Sequence, residues 1–589
     1  MQIQKKHLLI LSVLVLILSS HILWGQVVTF KNAEDYTFAK LRKTATERGS
    51  VRIIIKMNVP ALNALTARSR AFTTGSAGDD ISYKQRAINA DMILAEAISL
   101  SKDSILHQLN HYPYKLNGTL SSMPYMGLSV PVKTLERLKS IPQILEILED
   151  EPIFLPQEPY GEGSVDAPVL TESPSVIGAD YAWQNGITGS GWYVAVLDTG
   201  IRRSHQMFQG KDVVEACFAV DAEGNGLCPN GKSSMTGPGA AVHDYDHSYV
   251  FGWDHGTHVA GIAAGNNGSD RFGVAKDAGI IAIQVFGFIE AFDGITSWNY
   301  DQLAALDYLY SLRFTYNIAS VNMSLGSGFA ISQCPFDVRS VAIDNLKAVG
   351  IATCIASGND YSCTYVGYPA CVPGGVSVNA SDKNDIDSPF GNWNNDLVDV
   401  MAPGVDIISS VADSDIAYDS SSGTSQAAPH VAGAWALIKQ LDPTMSVDDA
   451  LTILKDSGKM VSSSRCPALD AKPRISIGDA VSYILFVAPP KNVSAFQQLN
   501  KSYLQKEYVN IISWETNKYN DDTTITNYKV YTVQGSQLTY VGQVDGNTLT
   551  YLHRGALKNV DTTYAITAVN SDGEESPPAY YTLNFVITQ

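Results

Sequence analysis

Positive charge is scarce in this sequence: 41 Lys and Arg stand against 59 Asp and Glu, a formal net charge of −18. Nothing in it would neutralise a row of phosphates, so nucleic acid is excluded as a partner. Long apolar runs are scarcer still. The one candidate, residues 8–18, follows Lys5 and Lys6 and precedes Ser19, Ser20 and Gly25. That is the layout of a secretory signal peptide (residues 1–25), and the run is short for a membrane span. An uncleaved N-terminal anchor is the alternative on the same residues. No second such run exists, so no membrane span is expected after signal removal. Cysteine is absent before Cys217 and after Cys466. The seven between fit an oxidising compartment and a secreted protein, and their odd number leaves at least one thiol unpaired. Cys217 and Cys228 bracket one turn-rich loop and form the first expected pair; Cys371 is expected to pair with Cys334 or Cys363. Cys354, in an apolar run with no histidine nearby, reads as buried and inert. A closed set of metal ligands is also missing. His243, Asp244, Asp246 and His247 cluster without a helix or cysteines to hold them and read as a solvated loop. Residues 221–226 mimic the first half of an EF-hand loop, but Lys232 stands where the bidentate glutamate belongs.

With 589 residues and 45% hydrophobic content, the chain can build several cores. One stretch organises it: residues 421–433, SSGTSQAAPHVAG, set Ser425 between a Gly-Thr turn and an Ala-rich helix. A hydroxyl is a poor nucleophile unless its backbone is sharply turned, its Oγ exposed and a base within reach. Gly423 is expected to permit the turn, and a helix beginning at Ser425 would aim unpaired N–H groups at a developing negative charge. Pro429 then requires either that the helix start nearby or that neighbours make good a lost hydrogen bond. Residues 192–201, WYVAVLDTGI, read as a buried strand ending in Asp198, whose carboxylate can orient an imidazole. Residues 254–265, DHGTHVAGIAAG, put His255 and His258 at the mouth of a small-residue helix; histidine is the usual proton acceptor for serine.

In the order Asp, His, Ser, these stretches resemble the catalytic motifs of the subtilisin-like serine proteases, the subtilases. The resemblance implies Asp198 as orienting acid, His255 as general base and Ser425 as nucleophile, with His258 at a non-catalytic position. Residues 355–360, IASGND, resemble the oxyanion-hole segment and imply Asn359 as the donor that acts with the Ser425 N–H. Ser324, Leu325 and Gly326 resemble the substrate-pairing strand, whose extended backbone can form an antiparallel ladder with a peptide. Whether the aromatic loop 286–298 lines the opposite side of that cleft or is solvent-facing packing stays open. Relatives with a similar PAC segment (369–371) favour Cys334 as the partner of Cys371. Departures are Gln426 and Ala428 after the nucleophile, where many relatives carry Met and Ser; neither supplies a proton-transfer group. Residues 272–276, FGVAK, lack the usual proline, and loop 266–271 is short for a high-affinity calcium loop. The metal sites are therefore unknown: no cofactor is required for the chemistry, and structural calcium is admitted by family analogy alone.

Four domains are expected. After the signal peptide, residues 26–160 read β-α-β-β-α-β, with strands at 51–57, 125–130 and 144–155 and helices at 85–109 and 132–139. This is a ferredoxin-like α+β arrangement. Its position and its closing residues EILEDEPIFLPQ resemble the inhibitory propeptide of subtilases, an intramolecular inhibitor whose tail stays in the cleft; an N-terminal domain that stays attached is the alternative. Residues 161–488 alternate apolar runs (193–197, 279–285, 318–324, 351–356) with helical stretches such as 301–312. That pattern makes an α/β domain with a doubly wound, mostly parallel sheet, subtilisin-like by resemblance, and sites at the strand ends. Residues 489–589 carry short alternating runs at 509–514, 525–533 and 562–570 and read as an all-β sandwich similar to a fibronectin type III domain. The function implied is a secreted, monomeric serine endopeptidase that acts on proteins or peptides and is activated by propeptide removal. The alternative is an inactive, protease-like binding or adhesion protein.

Overall fold

A computed structural model describes residues 33–71, 81–155, 172–243, 245–485, 487–501, 506–517, 520, 524–534 and 537–585. The expected signal peptide lies outside them.

The centre is a ten-stranded sheet in the order 459–461, 472–474, 400–403, 376–381, 352–356, 318–323, 193–198, 279–284, 213–218, 234–236. All neighbours pair in parallel except the outermost pair at each edge, which is antiparallel. Alternation within one strand shows how both faces are covered. In Tyr193–Asp198, Val194 and Val196 join one apolar cluster, together with Ala427, Val431 and Trp435 of the Thr424–Leu441 helix. Ala195 and Leu197 join the other, with Leu303, Leu306 and Ile343. A strand buried on both sides reads as a continuous apolar run, which is why the sequence displays it so clearly. Chain order reverses between Tyr193–Asp198 and Ile318–Met323, and a crevice opens beyond their carboxyl ends.

Before this sheet, strands Val51–Met57, Lys115–Thr119, Tyr125–Val130 and Ile144–Glu149 form a separate antiparallel sheet in which Val51–Met57 lies between the third and fourth strands. The single strand expected over 144–155 is two: Ile144–Glu149 stays in this sheet, and Pro152–Phe154 leaves it to pair with Gly294–Trp298. The break falls at Asp150, whose side chain accepts the Tyr300 N–H at 3.0 Å and holds Arg52 in a buried ion pair. Past the central sheet, two antiparallel sheets of three and four strands face each other around Trp514, Tyr528 and Tyr564.

Three disulfides join Cys217 to Cys228, Cys334 to Cys371 and Cys363 to Cys466. Cys354 is a free, fully buried thiol inside the central sheet, and burial alone pushes its titration upward.

Candidate active site

Strand Tyr193–Asp198 delivers Asp198 to the crevice, where Oδ1 accepts the Thr199 N–H at 2.8 Å. Helix His255–Ala264 opens with His255, whose Nδ1 lies 2.9 and 3.0 Å from the two Asp198 oxygens. A carboxylate straddling one ring nitrogen fixes the ring's orientation and places its proton on Nδ1, so that Nε2 is the basic nitrogen. Both side chains are buried. The small-residue pattern of this helix has a structural reason. It packs on the Thr424–Leu441 helix so closely that a Cβ at Gly433 would sit 2.6 Å from the Ala263 carbonyl oxygen.

Ser425 is the second residue of the Thr424–Leu441 helix, one residue later than a helix start at Ser425 would place it. Its Oγ lies 3.4 Å from the Ser324 carbonyl oxygen. Pro429, four residues on, has no N–H to give the Ser425 carbonyl. The Ser324 hydroxyl donates to that carbonyl instead, at 2.7 Å. The proline is thus compensated by the end of the neighbouring strand, and the same bond ties Ser425 to Ser324.

Asn359 follows strand Ala352–Ala356, and its Oδ1 accepts both the backbone N–H (2.9 Å) and the hydroxyl (2.8 Å) of Thr424. Engaging the oxygen sets the amide so that Nδ2 faces Gly423. Here the expected role of Gly423 is corrected. Its backbone is extended (φ 166°), a conformation open to any residue. Space is what requires glycine, since a Cβ there would come 2.7 Å from Gln426 Oε1 and 3.1 Å from Asn359 Nδ2.

Ser324 and Leu325 are fully buried, and the Gly326 N–H donates to the Phe154 carbonyl at 3.4 Å. Phe154 belongs to strand Pro152–Phe154, antiparallel to Gly294–Trp298, with Phe154 opposite Thr296, Ile153 opposite Ser297 and Pro152 opposite Trp298. The open question about loop 286–298 is thereby answered: it forms the hairpin Gly287–Ile289/Gly294–Trp298, and its second strand is one wall of a groove whose other wall is 324–326. Ile153 and Leu155 turn inward, while Phe154 is 40% exposed. Any side chain at Gly252, three residues before His255, would collide with the Leu155 methyl. Gly252 is a groove residue that sequence reasoning missed, whereas Phe292, which meets Phe154 edge to face at 5.7 Å, lies in the aromatic loop whose place the sequence left open. The aromatic spacing of 286–298 was the available signal.

The remaining histidines do not converge on the crevice. His258 is buried with Nε2 near the carbonyls of Ile407 (3.1 Å) and Asp419 (3.3 Å); burial first, then the charge of His255, pulls its pKa down to about 3. His243 turns inward to the Thr199 carbonyl and the Thr257 hydroxyl, and burial brings it to about 4. His247 stacks on Phe288. The expected solvated loop is therefore half wrong, because His243 is in the core, and Asp244 lies outside the described residues. Among the described residues no three His, Cys, Asp or Glu side chains gather to hold a metal ion. Loop 266–271 closes on itself, with Asn267 Oδ1 accepting the N–H groups of Ser269, Asp270 and Arg271.

Comparison with known proteins places this geometry in context. The Subtilase family profile matches residues 189–470. The chain is 31% identical to subtilisin E of Bacillus subtilis (strain 168) over 319 residues, 53% of this chain and 69% of the relative. It is 29% identical to an alkaline protease of Alkalihalobacillus alcalophilus over 367 residues, 61% and 81% of the two chains. It is also 29% identical to an alkaline proteinase of Hapsidospora chrysogena over 318 residues, 52% and 69%.

Proposed function

Because this chain belongs to the subtilase family and is a serine endopeptidase, we propose that Asp198, His255 and Ser425 are its catalytic residues and that residues 26–160 are an inhibitory propeptide. His255 Nε2 takes the Ser425 proton as Oγ attacks the peptide carbonyl, and Asp198 holds the imidazole and stabilises its cation. Asn359 Nδ2 and the Ser425 N–H, in the first helical turn where no intrahelical acceptor exists, stabilise the oxyanion. His255 then gives its proton to the leaving amine, water enters, and His255 serves again as base to release the acyl group. Ser324, Leu325 and Gly326 pair with substrate main chain. No step needs a metal.

The observation that carries this reading is the course of 152–155. The segment is seated as a middle strand between Gly294–Trp298 and 324–326 and runs toward Gly252 and His255, the path an extended peptide substrate would take. A tail lying there excludes substrate until it is cut and released. The signal-like N-terminus and three disulfides support secretion. Among the described residues no helix is long and apolar enough to cross a membrane. The terminal sandwich, with its buried Trp514 and Tyr564 and its Pro577-Pro578 pair, resembles a fibronectin type III module, and its role is binding or tethering.

The test is the intact mass of the secreted protein with and without a fluorophosphonate. A chain shortened by roughly the first 160 residues, with one adduct on the peptide containing Ser425, is the expected result. A chain that stays unlabelled after limited proteolysis of residues 26–160 would overturn the assignment in favour of a non-catalytic binding protein.

A further inference from the structure

The groove contains a selective contact at a position that faces outward. Phe154 lies opposite Gly326, and two residues before Gly326 stands Ser324, whose carbonyl is 3.4 Å from Ser425 Oγ. In an antiparallel ladder, partners two residues apart stay two apart, so a peptide in this register puts the residue two beyond the Phe154 position opposite Ser324, next to the nucleophile. The Phe154 position is therefore the third residue before the scissile bond. Alternation sends the second and fourth positions, held here by Leu155 and Ile153, into the protein, where both are buried in the cluster that also contains Leu197, Ile295 and Leu325. The third position turns to solvent, where a side chain ordinarily gains nothing by its identity. Here it does not reach solvent unaccompanied. The Phe154 ring meets the Phe292 ring edge to face at 5.7 Å, and Phe292 is in turn braced by Trp298 at 5.8 Å. Phe292 sits in the short 3-10 turn Glu290–Phe292 that joins the two hairpin strands, so its position is set by the same strand that forms the groove wall.

We infer that Phe292 is a specificity-determining residue that selects an aromatic side chain at the third position before the scissile bond. The inference rests on the proposed cleft and on the tail lying in it as a substrate would. Once the tail departs, the Phe292 ring remains on its Trp298 brace and offers the same edge-to-face partner to substrate.

The experiment uses the full chain after its own processing and pairs of peptides identical except for Phe or Ala at that position. An aromatic pair favours Phe by about three- to tenfold in kcat/KM. Phe292→Ala brings the Phe-to-Ala ratio to near one, Phe292→Tyr keeps it, and Phe292→Leu, which preserves bulk and packing, lowers it. A second pair varied at the fourth position, Ile against Ala, keeps its own ratio in all variants, which a general distortion of the hairpin would not allow. A wild-type ratio near one, or a ratio unchanged in Phe292→Ala, overturns the inference while leaving the protease reading intact. Hydrolysis of no peptide, with no fluorophosphonate adduct on Ser425, overturns both.

Discussion

The regions on either side of the central sheet are fastened to it by different chemistry. The N-terminal sheet buries charge against it. Arg52 pairs with Asp150 at 2.5 Å, lies over the Trp298 ring and stands 4.0 Å from Asp301, whose carboxyl is pushed well above its usual range, chiefly by burial. Asp307 accepts the N–H and hydroxyl groups of Ser121 and Ser122. The Tyr300 ring lies against Gly118 and Gly127, where a Cβ would come within 2.8 Å of it. The C-terminal sandwich is held near its linker chiefly by neutral amides: Asn520 exchanges two hydrogen bonds with Ala488, and Asn517 donates to the Pro489 carbonyl and the Tyr483 hydroxyl, while the charge that crosses there, Lys491 with Asp456 at 3.8 Å, stays partly exposed to water. Charges buried between two bodies are satisfied only while both are present, so the first attachment is demanding and specific. The second borrows its proximity from the covalent chain.

The difference is lost most completely if the chain cannot cut itself. Ser425→Ala is expected to lower kcat by about a million-fold and to leave residues 26–160 covalently attached, so that both flanking regions become permanent. A processed chain on a denaturing gel would refute the assignment of Ser425. Asn359→Ala removes one oxyanion donor and is expected to cost about 10²–10³ in kcat, read in peptide hydrolysis with KM little changed. Because Asn359 also accepts from Thr424, Asn359→Asp separates the two roles: it retains the acceptor and loses the donor.

The N-terminal attachment is weakened without touching the chemistry by Asp307→Ala. Four donors on Ser121 and Ser122 lose their carboxylate, a loss of about 3 kcal/mol at hydrogen bonds to a charged group. The delay between chain cleavage and the onset of peptide hydrolysis should shorten by about 100-fold. An unchanged delay would mean that the tail in the groove, rather than the interface behind it, limits release.

How much of this was legible in sequence follows from where the constraint lies. Asp198, His255, Asn359 and Ser425 are visible because the proposed chemistry calls for particular residue types at strand ends and helix starts, and the strand ends are visible because two-sided burial writes apolar runs. Hidden were features set by distant partners. The strand expected over 144–155 divides because Asp150 is claimed by Arg52 and Tyr300. Cys363 finds Cys466 across 103 residues. Pro429 is tolerated through a hydroxyl at Ser324, 101 residues away from the carbonyl it serves. Gly423 reads as a turn residue yet is needed for clearance, a distinction that only the neighbouring Gln426 and Asn359 side chains reveal.

Acid separates the central body from the sandwich. His258, His243 and His430 are buried neutral, with pKa values pulled down to about 3, 4 and 4. In the sandwich only the half-buried His553 is lowered among the described residues. A histidine whose folded pKa lies below the unfolded value of about 6.5 binds its proton in the unfolded state first. Stability of the central body is therefore expected to fall as pH drops from about 6.5 toward 4, by at most about 1.4 kcal/mol per pH unit for each such group. His258→Gln should flatten that slope by one group's share in denaturant titrations at pH 4 and pH 7. An identical slope would show that His258 takes up no differential proton.

The smallest effect is expected at the linker. Asn520→Ala leaves the Ala488 N–H and carbonyl without their reciprocal partner at a buried position, costing about 1 kcal/mol. The partly exposed Lys491–Asp456 ion pair at this interface is untouched by the substitution, and Asn520 and Ala488 lie outside the groove, so kcat/KM on short peptides should stay within about twofold of wild type, while limited proteolysis near residues 486–490 becomes several-fold faster. If peptide hydrolysis fell tenfold instead, the sandwich would be bearing on the groove through the Ile477–Leu485 helix, which carries Tyr483. The two attachments would then differ in strength and no longer in kind.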